Sequence, residues 1–215
     1  TVMLKVDNLS YAYTDKYLFE NLNFYLDIKT ITKVSGSNGS GKTTFLKNIS
    51  GILQDYEGEI LYLNENIKEI SSPNIFYAGH KNGFKNNLTV GENLKNDLRN
   101  PVFDLDKIKN YLSDFGCKVS FSTSLGNYSE GQKKKILLSL FASVKADLYV
   151  LDEPFSNLDD EGIDCLNQIF WQKTSEGSSI VFTSHENQGK SSQEINIDDF
   201  KNCLLYTSDA ADDRG

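Results

Sequence analysis

The chain has few of the features that would make it secreted, membrane-spanning or nucleic-acid-coating. Its three cysteines, Cys117, Cys165 and Cys203, follow neither a pairing pattern nor metal-ligand spacing. That fits reduced thiols in a reducing compartment better than a disulfide framework. No apolar run approaches the roughly 18 residues that a bilayer-crossing helix needs. No charged start followed by an apolar stretch forms a secretory signal. A protein of this kind works at a membrane only as a peripheral subunit. Basic residues are outnumbered, 22 Lys and Arg against 30 Asp and Glu, for a net charge of −8. That balance points away from nucleic acid as the main partner. Proline is scarce at three residues, and no low-complexity linker divides the chain.

What remains is an ordinary mixture, 39% hydrophobic and 24% charged over 215 residues. It suits one domain with room for a small inserted subdomain. Composition breaks at Cys203. Residues 203–215, CLLYTSDAADDRG, are expected to be a non-native tail, such as an adapter sequence translated in frame would leave. A natural acidic tail is the alternative. Without its three Asp and one Arg the net charge falls from −8 to −6. Met3 follows close on Thr1, so the native start need not be Thr1. The domain is taken as residues 1–202.

Hydrophobic periodicity predicts strands at Met3–Val6, Leu18–Ile28, Thr30–Ser35, Glu59–Leu63, Asn74–Ala78, Asp147–Leu151 and Ser179–Thr183. Helices are predicted at Lys42–Ile52, Val90–Leu98, Leu105–Phe115, Glu130–Val144 and Gly162–Thr174. Strands alternating with helices indicate a parallel or mixed α/β sheet. The alternating Leu18–Ile28 segment adds an antiparallel edge. A helical insertion is expected at about 86–130.

Three motifs carry chemistry. GSNGSGKT, Gly36 to Thr43, lies between a predicted strand and a predicted helix. Only a glycine-rich turn wraps its backbone N–H groups closely around a phosphate, and the helix N-terminus adds partial positive charge. In that loop Gly36, Ser37, Asn38, Gly39, Ser40 and Gly41 would supply the cradle and Lys42 would reach the β- and γ-phosphates of ATP. Thr43 would ligate Mg²⁺ and Thr44 is expected at the α-phosphate. DLYVLDEP, Asp147 to Pro154, is an apolar strand ending in two carboxylates. Asp152 would enter the Mg²⁺ shell, and Glu153 would polarise the attacking water. YSEGQ, Tyr128 to Gln132, opens the next helix, with Ser129 as a natural cap.

With that third motif the chain resembles the ATP-binding subunits of ABC transporters over residues 1–200. The resemblance implies an α/β P-loop NTPase (ABC ATPase) core with an antiparallel β edge and an inserted helical subdomain. It implies that Ser129, Gly131 and Gln132 close on nucleotide held by a second copy, in a homodimer carried by integral-membrane subunits. Tyr128 and Glu130 depart from the usual LSGGQ signature, and Glu130 is expected to point away from the nucleotide. The resemblance also places Tyr13 against adenine, with Tyr11 the alternative. It makes Asn157-Leu158-Asp159 the D-loop and sets His185 near the γ-phosphate as a catalytic partner of Glu153 and Lys42.

His80 stands where most of the family carries a Q-loop glutamine. In FYAGHKNGFKNNLTVGENL, the residues Tyr77, Gly79, His80, Gly83, Leu88, Thr89, Glu92, Asn93 and Leu94 resemble one subgroup, the haem-exporter ATP-binding subunits of cytochrome c biogenesis (CcmA type). That resemblance implies a peripheral ATPase on the cytoplasmic face of the inner membrane, driving haem export or delivery without binding haem itself. Other readings are a subunit of a different ABC transporter, a soluble ABC protein, and a nucleotide sensor without turnover.

Overall fold

The computed structural model describes residues 1–14, 16–81, 83–99, 102–184 and 188–201. The expected tail at 203–215 and His185 lie outside them.

Two sheets frame the protein. The antiparallel sheet has the order β2-β1-β4-β5, from β1 (Val2–Tyr13), β2 (Lys16–Asp27), β4 (Glu57–Tyr62) and β5 (Glu65–Asn66). The parallel sheet has the order β6-β7-β8-β3-β9, from β3 (Ile31–Ser35), β6 (Ile75–Ala78), β7 (Leu148–Leu151), β8 (Ser179–Thr183) and β9 (Gln193–Asn196). Helices are α1 (Lys42–Ile49), α2 (Val90–Lys95), α3 (Leu105–Asp114), α4 (Glu130–Ser143) and α5 (Asp160–Ser175).

Strands β7 and β8 are buried along their whole length, as parallel strands covered on both faces must be. Their alternate residues therefore feed two cores. Tyr149, Leu151, Ile180 and Phe182 face a cluster with α4 and α5, where Phe141 meets Tyr149 edge-on at 5.0 Å and Phe155 meets Phe182 at 5.5 Å. Leu148, Val150 and Val181 face a second cluster with Phe45 and Leu46 of α1 and Leu4, Val6, Phe24 and Ile60 of the antiparallel sheet. This burial of apolar surface, at about 25 cal/mol per Å², fixes the two sheets against α1.

Several boundaries differ from the sequence reading, each for a local reason. Strand β1 runs past Val6 to Tyr13 because a bulge at Asn8 (φ 50°) interrupts the alternation without ending the pairing. Helix α1 stops at Ile49, where Gly51 at φ 72° lets its N–H and that of Ile52 return to the carbonyls of Asn48 and Lys47. Helix α2 stops at Lys95 because the Asp97 carboxylate takes the Arg99 N–H at 2.9 Å and its guanidinium, an alternative to further helix. Helix α5 starts two residues early, capped by Asp159 through the Gly162 N–H at 3.0 Å. Strands β5 and β9 and a 3-10 turn at Ile197–Phe200 carry no periodic signal. Between β6 and α4, helices α2 and α3 and the turn Leu125–Asn127 occupy the region of the expected helical insertion.

Candidate nucleotide site

Parallel register brings the functional segments to one edge. Val34 pairs with Thr183, Leu151 with Phe182, and Ala78 with Leu151. The carboxyl ends of β3, β6, β7 and β8 thus point the same way, the edge at which open α/β sheets bind ligands. Gly36, His80, Asp152 and Thr183 follow or end those four strands.

The loop from Gly36 to Gly41 passes directly into α1. Gly36, Gly39 and Gly41 have φ of 143°, 76° and 101°, a region that L side chains avoid. At Gly41 an added Cβ would also lie 3.1 Å from the Phe19 ring. Lys42 is buried and its Nζ donates to the carbonyls of Gly36 at 2.8 Å and Ser37 at 3.0 Å. Burial lowers its pKa, opposed by the carboxylates of Glu153, Asp198 and Asp152.

Thr43 Oγ1 donates to Asp152 Oδ2 at 2.7 Å, and Thr183 Oγ1 donates to Asp152 Oδ1 at 2.7 Å. The Glu153 N–H donates to Thr183 Oγ1 at 2.8 Å, and Lys134 Nζ donates to the Glu153 carbonyl at 3.0 Å. Glu153 itself sits at φ 50°, a left-handed conformation that its partners hold in place. His80 Nδ1 stands 3.3 Å from Glu153 Oε2. A cleft of about 430 Å³ is lined by Asn38, Gly39, Ser40, Gly41, Lys42, Thr43, Thr44, Asp152, Glu153 and Leu18.

These residues fit a magnesium-bound triphosphate. A hydroxyl and a carboxylate, both hard oxygen donors, converge at Thr43 and Asp152. Ser40 Oγ, buried in the same loop, has no hydrogen-bond partner among the described residues. Main-chain N–H groups of a glycine loop and a buried ammonium complete an anion cradle.

The remaining expected residues lie apart from the cleft. Ser129 caps α4 in a reciprocal box with Gln132: Ser129 N–H donates to Gln132 Oε1 at 3.0 Å, and Gln132 N–H donates to Ser129 Oγ at 3.2 Å. Glu130 is turned onto Lys133 at 2.8 Å. The Tyr128 hydroxyl accepts from the Ser120 N–H at 2.8 Å, tying the start of α4 to the preceding loop. Gly131 packs on the Asn157 carbonyl, where an added Cβ would stand at 3.0 Å. Asp159 also accepts from Lys135 Nζ at 3.0 Å. Tyr13 is 70% exposed, with its ring open for stacking, whereas Tyr11 leans on Phe19 at 6.3 Å. Sequence reasoning missed Thr183, Lys134 and Asp198. Thr183 alone had a signal, as a polar residue closing a predicted buried strand.

Among known proteins, the family model described as ABC transporter matches residues 19–156. The "Cytochrome c biogenesis ATP-binding export protein CcmA" of Rickettsia bellii is 35% identical over 198 residues, covering 91% of this chain and all of that protein. Its namesake in Pasteurella multocida is 31% identical over 204 residues, covering 92% and 96%. A solved putative ABC transporter ATP-binding protein from Pyrococcus furiosus superposes with a TM-score of 0.79 at 24% identity, over 92% of this chain and 98% of that one. A dimeric ATP-binding cassette bound to ADP and Pi superposes at 0.72 with 19% identity, over 86% and 88%.

Proposed function

We propose, from the premise that this chain belongs to the ABC transporter family as one of its CcmA-type ATP-binding subunits, that it hydrolyses ATP to drive haem export or delivery in cytochrome c biogenesis. The observation that carries the chemistry is the meeting of Thr43, Asp152 and Glu153 at the mouth of the glycine loop.

In this reading main-chain N–H groups of the glycine loop, other than that of Ser37, which Asp198 holds, act with the Lys42 ammonium to bind the β- and γ-phosphates, and Thr44 holds the α-phosphate. Thr43 and Asp152 hold Mg²⁺, which when bound neutralises charge on the β- and γ-phosphate oxygens. Glu153 orients water and accepts its proton, a contribution of roughly 10²–10⁴ in rate. His80 positions the Glu153 carboxylate, the role this chain gives to the residue standing in place of the Q-loop glutamine. Tyr13 stacks on adenine. Ser129, Gly131 and Gln132, absent from the lining of the chain's own cleft, serve the site of a second copy. His185 is proposed beside the γ-phosphate from the motif alone.

No helix among the described residues is long and apolar enough to cross a membrane. Integral-membrane subunits are proposed to dock in the groove beside His80, lined by Lys47, Ile52, Ile75, Tyr77 and Arg99, with this chain on the cytoplasmic face of the inner membrane. Purified protein should hydrolyse ATP, and Glu153→Gln should bind ATP while losing about a hundredfold or more in rate. Equal rates would defeat the assignment of Glu153. Expression in cells lacking their own CcmA-type ATPase should restore assembled c-type cytochromes, and a well-expressed protein that does not would count against the haem pathway.

A further inference from the structure

We propose that Asp198 is a positioning residue for Lys42, acting through the peptide that joins Gly36 to Ser37. The inference rests on the nucleotide-binding reading of the glycine loop. Asp198 lies in the 3-10 turn that follows β9, about 160 positions from the loop it touches. Its Oδ2 accepts the Ser37 N–H at 2.6 Å, and its Oδ1 accepts the Ser37 hydroxyl at 2.8 Å. Lys201 Nζ holds the same carboxylate at 2.5 Å and donates to Ser37 Oγ at 2.9 Å.

The Ser37 N–H and the Gly36 carbonyl belong to one trans peptide, so they point in opposite directions. Asp198 grips the N–H side of that unit, and Lys42 Nζ donates to its carbonyl side at 2.8 Å. A charge-assisted bond on the N–H polarises the amide and strengthens the carbonyl as an acceptor. It also fixes the plane of a peptide that glycine at φ 143° would otherwise leave free to rotate. Lys201, Asp198, the peptide and Lys42 therefore form a continuous relay. The relay holds the ammonium at the phosphate end of the cleft before nucleotide arrives. The carboxylate is ionised throughout the ordinary pH range, since Lys201 and the two Ser37 donors bring its pKa down to about 2.

The test is equilibrium binding of ATP and steady-state hydrolysis by the full chain carrying Asp198→Ala or Asp198→Asn. Asp198→Ala should raise Kd and KM for ATP about tenfold while leaving kcat within about twofold, because uniform binding is lost and not transition-state contact. Asp198→Asn keeps an acceptor for the Ser37 N–H and should recover to within about threefold of the parent. Lys201→Met, which leaves the carboxylate in place, should weaken binding less than Asp198→Ala. An Asp198→Ala protein with unchanged Kd and KM overturns the inference. So does a loss confined to kcat, or an equal loss in both Asp198 variants with a lowered unfolding midpoint. A parent protein that binds no ATP overturns the nucleotide reading and the inference together; tight parental binding with an unaffected Asp198→Ala protein overturns the inference alone.

Discussion

Thr183 joins the two acidic residues at the end of β7 through one hydroxyl, donating to the buried Asp152 carboxylate and accepting from the Glu153 backbone. Thr183→Val keeps the shape and removes both bonds. Leaving a buried carboxylate short of a donor costs about 1–3 kcal/mol, which urea denaturation would read. Hydrolysis should fall more than ATP affinity, because Glu153 loses the contact that holds its φ of 50°. The chain's motifs make Asp152 and Glu153 legible, since two carboxylates close an apolar strand downstream of a glycine loop. They leave Thr183 obscure, because its role depends on β7 and β8 lying in register, Leu151 beside Phe182. Asp198 is obscure for the same reason, at the far end of the chain from the loop it grips. The buried thiol of Cys117 and the half-buried one of Cys165 take no part in this chemistry: desolvation raises Cys117 and lifts Cys165 to about 11, leaving both protonated near neutrality.

At the level of elements, side-chain caps begin α2, α3, α4 and α5, and glycines follow the ends of α1, α3 and α5. Ser129→Ala removes the side-chain acceptor at the start of α4 and should lower stability by about 1 kcal/mol in thermal or urea unfolding. If Ser129 also closes the site of a second copy, hydrolysis should fall by a larger factor than that loss of stability explains. Two glycines make a contrast. Gly116 ends α3 at φ 62° with open space where a Cβ would go, so Gly116→Ala should cost only about 1 kcal/mol. At Gly58 a Cβ would lie 2.4 Å from the Asn8 carbonyl, so Gly58→Ala must displace the β1 bulge and should cost several times more, measured as a shift in the urea midpoint. Strand β2 and helix α3 are legible because burial follows their repeat, and β7, β8 and the second half of α4 because each is an apolar run buried without interruption. Strand β9 is not: of its residues Gln193–Asn196 only Ile195 is buried, and pairing with β3 defines it.

For the whole molecule, stability carries a pH dependence from Lys173. Its ammonium is buried against Val144 O at 2.8 Å and Tyr149 Oη at 2.9 Å. Burial brings its pKa down from 10.5 to about 8. Between those values the unfolded chain binds the proton and the folded chain releases it. Stability therefore rises with pH over that window and the penalty is fully present below it. Lys173→Met should flatten that rise in urea unfolding followed from pH 7.5 to 10. Association is the second property at this scale. In the presence of ATP the Glu153→Gln protein should shift toward a dimer in sedimentation, since hydrolysis no longer reopens it; a species that stays monomeric would remove the shared site from the proposed function. The ABC fold is legible from the order of three motifs alone. The groove beside His80, proposed as the partner surface, is not, because its residues come together only in three dimensions, from α1, β6 and the segment after α2.

Strand β3, which delivers the glycine loop, is flanked on one side by β8 and on the other by β9, pairing Thr32 with Gln193 and Ser35 with Asn196. A ribosome makes β3 early and its two neighbours last. Until both emerge, β3 presents bare edges, a template for pairing with other nascent chains. Competence to bind nucleotide should therefore arrive late and abruptly during synthesis, and arrested chains that end before residue 193 should depend on chaperones to stay soluble.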